Sequence, residues 1–321
     1  MKISVILCTY NRCKSLAKAL ESVAASVMPA SAAWEVLIID NNSRDETRNV
    51  AQDFCTKFPG RFRYIFEPQQ GKSHALNTAL READGELFAF VDDDVVVDSN
   101  WLRNLTAPLA DGTWSGAGGR ILAERGFVPP SWLDINARDA LAPLAVFDHG
   151  DKAGQLHDTP YGTNMAFHRE MFLKYGGFRT DLGPQPGNEV RNEDTEFGSR
   201  LLEAGEQLWY EPSAVVFHSV PENRMQKSYF FRWWFDKARA DIRQHGVPQN
   251  VRWYFYGAPL YLFRRLAVWA VRWICTPGEA RRFIARINML KAAGSIYECH
   301  LRAGLANNGT ASLSIGSEPQ N

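Results

Sequence analysis

Only five of the 321 residues are cysteine (Cys8, Cys13, Cys55, Cys275 and Cys299), and no two of them form a C-x-x-C pair. This excludes a disulfide scaffold and a cysteine-based zinc site, and the odd number points to a reducing compartment, the cytoplasm. No cationic stretch followed by a long apolar run and a small-residue cleavage site opens the chain, so MKISVILCTY reads as a strand and not as a secretory leader. Every apolar stretch of about twenty residues is broken by arginine, which argues against a membrane span. Two nucleotide-binding signatures are missing as well. ILCTYNR stands where a G-x-G-x-x-G loop would follow the first strand, and Phe66 occupies the place of the first Walker A glycine ahead of Gly71 and Lys72. The chain shows no internal repeat.

What is present is an ordinary folded composition, with 45% apolar and 22% charged residues, and a length that suits two domains or one domain with an appendage. The net charge of zero hides an asymmetry. Residues 1–221 carry 21 Lys and Arg against 30 Asp and Glu, whereas residues 222–302 carry 15 against 5. An acidic body that needs cations is followed by a basic piece that seeks anions.

Short apolar runs alternating with helical patterns over the first ninety residues predict βαβ units and a mainly parallel sheet. Strands are predicted at Lys2–Cys8, Trp34–Asp40, Phe62–Phe66 and Leu87–Val91, with helices between them. Ser43 and Glu46 have the spacing of a capping box that would open a helix at Arg44. Residues 110–160 read as further strands with long loops. Helical patterns return in HREMFLKYG and EDTEFGSRLLEAG, and the strand-like SAVVFH ends at His218. The predicted boundaries are a catalytic body over 1–221 (halves 1–110 and 111–221), a helical appendage over 222–303, and a small-residue, polar, disordered tail over 304–321.

Polar residues end these strands: Thr9, Asn11 and Arg12, then Asp40, then Asp92, Asp93 and Asp94. In an open α/β sheet, ligands bind at the carboxyl ends of strands. Three adjacent aspartates after the apolar LFAFV repel one another, so a cation is their natural compensation, and hard oxygen ligands favour magnesium or manganese; the plainer reading is an acidic turn. Lys72, at the start of a predicted helix, suits a phosphate or is a solvated surface lysine. Glu193 and Asp194 sit where a helix dipole keeps carboxylates ionised, and the plain alternative is N-terminal helix charge alone. His218 is either a ligand or a satisfied strand-end histidine.

Taken together, ILCTYNR at 6–12, VLIIDNNSRDET at 36–47, GKSHALNTAL at 71–80, FVDDDV at 90–95, GTNMAFHREMFLKYGGF at 162–178 and NEDTEFGSRLLEAG at 192–205 resemble family 2 glycosyltransferases, inverting enzymes with the GT-A fold. The resemblance implies that Thr9, Asn11, Arg12 and Asp40 hold the nucleotide, that Asp94 binds the metal, and that Asp92 lies near the ribose or sugar with Asp93 sharing either role. It further implies that Asp194 of the Glu193–Asp194 pair is the catalytic base, that Gly162–Phe167, Asn164 included, lies beneath the donor sugar and diphosphate, and that His218 completes the metal shell. The implied activity is transfer of a sugar from a UDP-, GDP- or dTDP-sugar to a saccharide or lipid-linked saccharide in cell-surface polysaccharide assembly. A sugar nucleotidyltransferase is the enzymatic alternative, though its G-x-G-T-R loop is absent. A non-catalytic sugar-nucleotide-binding protein is the other.

Residues 229–243 and 251–275 of the appendage are aromatic, apolar and basic. Read as helix, the second puts Arg264, Arg265 and Arg272 on one arc with Leu266, Val268, Trp269 and Ile274 largely outside it, the pattern of a helix lying in an anionic membrane interface. Its competitor is a helix packed on the body with its arginines in water. The expected location is the inner face of the plasma membrane, as a peripheral protein. No nucleic-acid module is legible, and the body is acidic.

Overall fold

The four apolar runs of the first ninety residues form parallel strands, β1 (Lys2–Thr9), β2 (Ala33–Asp40), β3 (Phe62–Phe66) and β4 (Leu87–Asp92), in the order β3-β2-β1-β4. Strands covered on both faces read as continuous hydrophobic runs, and Val36 to Ile39 and Leu87 to Val91 are buried without interruption. The covering helices are α1 (Cys13–Ala24), α2 (Thr47–Lys57) and α3 (Lys72–Glu82). In α1 the buried residues Leu16, Ala19, Leu20 and Val23 recur at helical spacing. This is a computed structural model that describes residues 1–29, 32–124, 126–133, 141–187 and 189–312.

The chain then adds β5 (Val95–Val97), α4 (Trp101–Thr106), β6 (Gly116–Ala123), β7 (Gly154–Leu156), β8 (Asn164–His168), α5 (Arg169–Tyr175), α6 (Glu193–Glu203) and β9 (Leu208–His218). These strands extend the sheet as β4-β8-β6-β9-β5, with β7 on β9. The β6–β9 pair is parallel and the other added pairs are antiparallel. The result is an α/β fold with flanking helices whose parallel ladder forms the first half of the sheet.

This topology gathers the polar strand ends. Thr9 is in register with Asp40 and Cys8 with Asp92, so three parallel strands finish on one edge. The antiparallel β5–β9 pair sets Val95 opposite His218, which brings the preceding Asp94 beside the histidine; Ser219 N–H donates to the Asp94 carbonyl at 3.0 Å.

The predicted capping box does not form. Helix α2 opens at Thr47, and Asp45, two residues closer than Ser43, accepts both the backbone N–H and the hydroxyl of Thr47. An ionised oxygen two residues nearer outcompetes a serine hydroxyl, and Ser43 Oγ instead accepts the Asn11 N–H at 2.9 Å.

The chain divides into two compact units. The first holds Met1–Pro129, Ile135–Glu189 and Glu193–Arg224, and the second holds Pro130–Asp134, Val190–Asn192 and Met225–Asn321. The second contains α7 (Lys227–His245), the short hairpin strands β10 (Tyr254–Phe255) and β11 (Ala258–Pro259), α8 (Leu260–Cys275) and α9 (Glu279–Ser312). Ile242, Ala258, Leu262, Ile296 and Cys299 form a buried cluster within it. The segment 251–275 is therefore a hairpin followed by a helix and not one helix, and α9 runs to Ser312, past the expected tail boundary at 304; residues 313–321 lie outside the described residues. Among the described residues, no helix is long and apolar enough to cross a membrane.

Candidate functional site

Three consecutive aspartates meet three different environments because a strand end and a turn point their side chains apart. Asp92, the last residue of β4, accepts from Lys72 Nζ at 2.9 Å and from the Thr163 hydroxyl at 2.7 Å. Burial opposes its ionisation, yet the lysine holds its carboxyl below the usual range. Asp93 is buried beside Thr9 and Arg12, and desolvation prevails over the Arg12 charge, pushing its carboxyl up to about 6. Asp94 receives Arg12 Nη1 at 2.7 Å, Arg224 Nη2 at 3.2 Å and His218 Nε2 at 3.4 Å. Against the burial penalty, the His218 hydrogen bond and the two guanidiniums hold it well below the carboxylate range.

Opposite these lies the start of α6. Asp194 accepts the Gly162 N–H at 2.6 Å through Oδ2 and the Thr195 N–H at 2.7 Å through Oδ1, and its side chain is only partly buried. A Cβ at position 162 would lie 3.1 Å from Asp194 Oδ2, so glycine permits this close approach. Glu193 is the more enclosed of the pair, 3% exposed, with Oε1 3.4 Å from Lys72 Nζ. Lys72 thus bridges Asp92 and Glu193, and one pocket is lined by Lys72, Asp92, Gly162, Glu193 and Asp194 over an apolar floor that includes Met165.

Burial raises the Glu193 carboxyl to about 7, with the Lys72 charge opposing and the Asp194 charge adding to the rise. The folded state therefore keeps a proton there that the unfolded chain releases near 4.5, and the stabilisation, full below that value, is lost as pH rises through about 7. Chemical denaturation from pH 4.5 to 8 should show this decline in wild type, and Glu193→Gln should make it shallower above about pH 6, the raised Asp93 carboxyl supplying the part that remains. An unchanged slope would place the titration elsewhere.

Other expected site residues are brought to the same edge. Arg12 reaches Asp93 and Asp94. Asn11, in the left-handed region with φ 51°, accepts the Arg44 N–H through its side chain at 2.7 Å and so ties the loop after β1 to the loop after β2. Asp40 is buried, and its two oxygens accept the Ser43 N–H at 2.9 Å and the Tyr64 hydroxyl at 2.8 Å. Asn164 departs from expectation. It is fully buried, its amide donates to the Arg120 and Ala214 carbonyls, and its oxygen accepts the Trp101 indole N–H at 2.8 Å, so no group is left to meet a sugar nucleotide. The neighbouring Thr163 faces the site instead.

Arg224 was not legible as a site residue. It lies in a single 3₁₀ turn, Glu222–Met225, after β9, with Nη1 3.2 Å from His218 Nε2. Only its closeness to the strand-ending histidine could have marked it.

Asp94, in the turn before β5, and His218, at the end of β9, offer an oxygen and an imidazole nitrogen, a donor set that fits magnesium or manganese when phosphate oxygens and water complete the shell. Among the described residues, no three His, Cys, Asp or Glu side chains converge on one point, so a metal here would depend on its ligand for the remaining positions.

The chain is similar to known proteins along most of its length. The chain is 28% identical over 302 residues to the succinoglycan biosynthesis protein ExoM of Rhizobium meliloti, covering 92% of each chain. It is 26% identical over 230 residues to the glycosyltransferase AglE of Haloferax volcanii, covering 71% of this chain and 70% of that one. Among solved structures, the mannosyltransferase PcManGT of Pyrobaculum calidifontis, in complex with GDP-Man and Mn2+, superposes with TM-score 0.57 at 21% identity over 98% of this chain and 80% of its own. Residues 1–349 of S. aureus TarS, in complex with UDP, superpose with TM-score 0.51 at 17% identity over 96% and 92%. These likenesses carry the GT-A fold. Residues 4–176, more than half of the chain, match the profile described as glycosyl transferase family 2, and with the strand-end carboxylates already in place the chain belongs to that family.

Proposed function

We propose that this glycosyltransferase moves a sugar, with inversion, from a nucleoside diphosphate sugar to a saccharide or lipid-linked saccharide during assembly of a cell-surface polysaccharide. The observation that carries the reading is the placement of the partly open Asp194 carboxylate in one pocket with Asp92 and Lys72, on the sheet edge where Asp94 and His218 also lie. In the proposed step the acceptor oxygen forms a bond to the anomeric carbon as the bond to the diphosphate breaks on the opposite face. The acceptor's proton passes to Asp194, and the diphosphate leaves with the electron pair. The Gly162 N–H and the Thr195 N–H fix the orientation of that carboxylate, while Glu193, more enclosed and turned towards Lys72, is poorly placed to share its task.

Arg12, together with Asn11, Thr9 and Asp40 on the β1 and β2 loops, would hold the nucleotide, and Asp92 and Asp93 its ribose and sugar. Asp94 and His218 would hold magnesium or manganese, which when bound offsets charge on the departing diphosphate. The Mn2+ and GDP-Man of PcManGT and the UDP of TarS favour a nucleotide-sugar donor and a divalent ion. The part of ExoM in succinoglycan biosynthesis favours a polysaccharide product. The basic second unit suits attachment to the anionic inner face of the plasma membrane, where a lipid-linked acceptor would be met.

A thermal-shift screen of UDP-, GDP-, dTDP- and CMP-sugars with and without manganese tests the donor assignment. One donor class should raise the melting temperature, since a ligand at a hundred times its Kd stabilises the folded state by about 2.7 kcal/mol. The same donor should release nucleoside diphosphate. Release of pyrophosphate would identify a nucleotidyltransferase, and binding without any transfer or hydrolysis would identify a binding protein.

A further inference from the structure

Nine of the eighteen exposed large hydrophobic residues among the described residues fall between positions 253 and 274. Trp253, Tyr254, Phe255 and Tyr256 run from just before β10 into the turn of the β10–β11 hairpin, with Trp253 61% and Tyr256 76% exposed. Leu260, Tyr261, Val268, Val271 and Ile274 continue the apolar surface along α8. So many exposed large apolar side chains within one short segment are unusual on a folded protein and mark an interaction site.

The hairpin is built to present its aromatics. Its two central turn residues, Tyr256 and Gly257, have φ of 45° and 76°, a pairing that Asn-Gly meets with least strain and that a tyrosine meets at a cost. Gly257 is required, because a Cβ there would come within 2.4 Å of Ala303 Cβ on α9. The Tyr254 hydroxyl is occupied by the loop that leads into the hairpin, donating to the Gln249 carbonyl at 3.0 Å. Phe255 packs edge-on against Phe263 of α8, which leaves Trp253 before the strand and Tyr256 in the turn as the most exposed rings of the four.

The charge around this surface has one sign. Between Asp241 and Glu279 the sequence contains no acidic residue and five arginines, Arg243, Arg252, Arg264, Arg265 and Arg272. On α8 the exposed arginines share an arc with the exposed apolar side chains, and the opposite arc, with Leu262 and Leu266, packs into the unit. The expected separation of arginines from apolar residues around α8 is thus replaced by interleaving. The carboxylate packed close by, Glu298, is buried and already paired with Arg243; amphipathic aromatics among the remaining exposed arginines match the headgroup zone of an anionic bilayer. A second copy of the chain would bring the same cations against themselves.

We infer that the β10–β11 hairpin is a membrane wedge: Trp253 and Tyr256 enter the headgroup region of anionic lipid while Arg252, Arg264, Arg265 and Arg272 engage its phosphates. The inference rests on the proposed membrane location and adds the element that penetrates. Purely electrostatic attachment vanishes at high salt, whereas inserted aromatic rings leave a salt-resistant fraction.

The test uses the full chain with sedimenting vesicles of phosphatidylglycerol and phosphatidylcholine at low and high salt. Wild type should pellet at low salt and in part at high salt. The double variant Trp253→Ser/Tyr256→Ser should bind about tenfold to a hundredfold more weakly and lose the salt-resistant part. Brominated phospholipids should quench wild-type tryptophan fluorescence more than that of Trp253→Phe, a conservative change that isolates one ring of the ten tryptophans. If wild type binds but the double variant binds equally well, or Trp253→Phe is quenched to the same extent, the wedge is wrong and the membrane location stands. Wild type remaining in the supernatant at both salts overturns both. A concentration-dependent dimer that the double variant abolishes, without vesicle binding, assigns the surface to a second copy and overturns the wedge.

Discussion

Asp194→Asn should slow sugar transfer by about 10²–10⁴-fold while leaving donor affinity close to that of wild type. Asparagine keeps the size and the Oδ1 acceptor that receives the Thr195 N–H, so the α6 start should hold its shape. What it loses is the capacity to take a proton. The Gly162 N–H, 2.6 Å from Asp194 Oδ2, would need an oxygen there, and an amide rotated to supply one still cannot act as base. The rate of nucleoside diphosphate release with acceptor present, set beside donor binding by calorimetry, separates the two effects. A Glu193→Gln variant run in parallel should keep most of its rate, since Glu193 faces Lys72 and is closed off from an incoming hydroxyl. Retained turnover in Asp194→Asn with loss in Glu193→Gln would reverse the roles within the pair.

The site edge was legible in the sequence because βαβ units carry a strong periodic signal and parallel strands end on the same side, so Thr9, Asp40 and Asp92 could be placed together before any contact was known. The residues that were not legible have their reasons in local geometry. Thr163 and Asn164 are neighbours in a quoted motif, and consecutive residues entering a strand face opposite ways; nothing in GTNMAF says which of them meets the core, and the indole of Trp101 decides it. Arg224 meets Asp94 across 130 positions of chain from a single 3₁₀ turn, which has no period to detect. The hairpin was read as helix because Tyr-Gly lacks the Asn-Gly signature and the arginine spacing beyond it continues a helical phase. The capping box failed for a similar reason, since Asp45 lay inside the motif and was the stronger acceptor.

Asp94→Asn should abolish the manganese-dependent part of nucleoside diphosphate binding, and the cause lies in what already surrounds this carboxylate. Arg12, Arg224 and His218 all converge on it, so without a divalent ion its charge is met by two guanidiniums and an imidazole. An arriving ion has to compete with the guanidiniums for the same oxygens, and a diphosphate offers those guanidiniums a new bidentate partner. Metal and diphosphate should therefore bind wild type cooperatively, each improving the other's affinity by the same factor, as linkage requires. Calorimetric titration of UDP and GDP, with and without manganese, measures that factor directly. In Asp94→Asn the factor should fall to about one, while weak metal-independent binding persists because Arg224 is released from its carboxylate and Arg12 keeps only Asp93. That residue of binding should be steeply salt-sensitive through Arg12, whose side chain is 43% exposed. Arg224→Ala should behave in the opposite sense, retaining a metal effect and losing affinity for the diphosphate over the nucleoside monophosphate. Full cooperativity in Asp94→Asn would remove this aspartate from the metal site and leave Asp92 or Asp93 to fill the role.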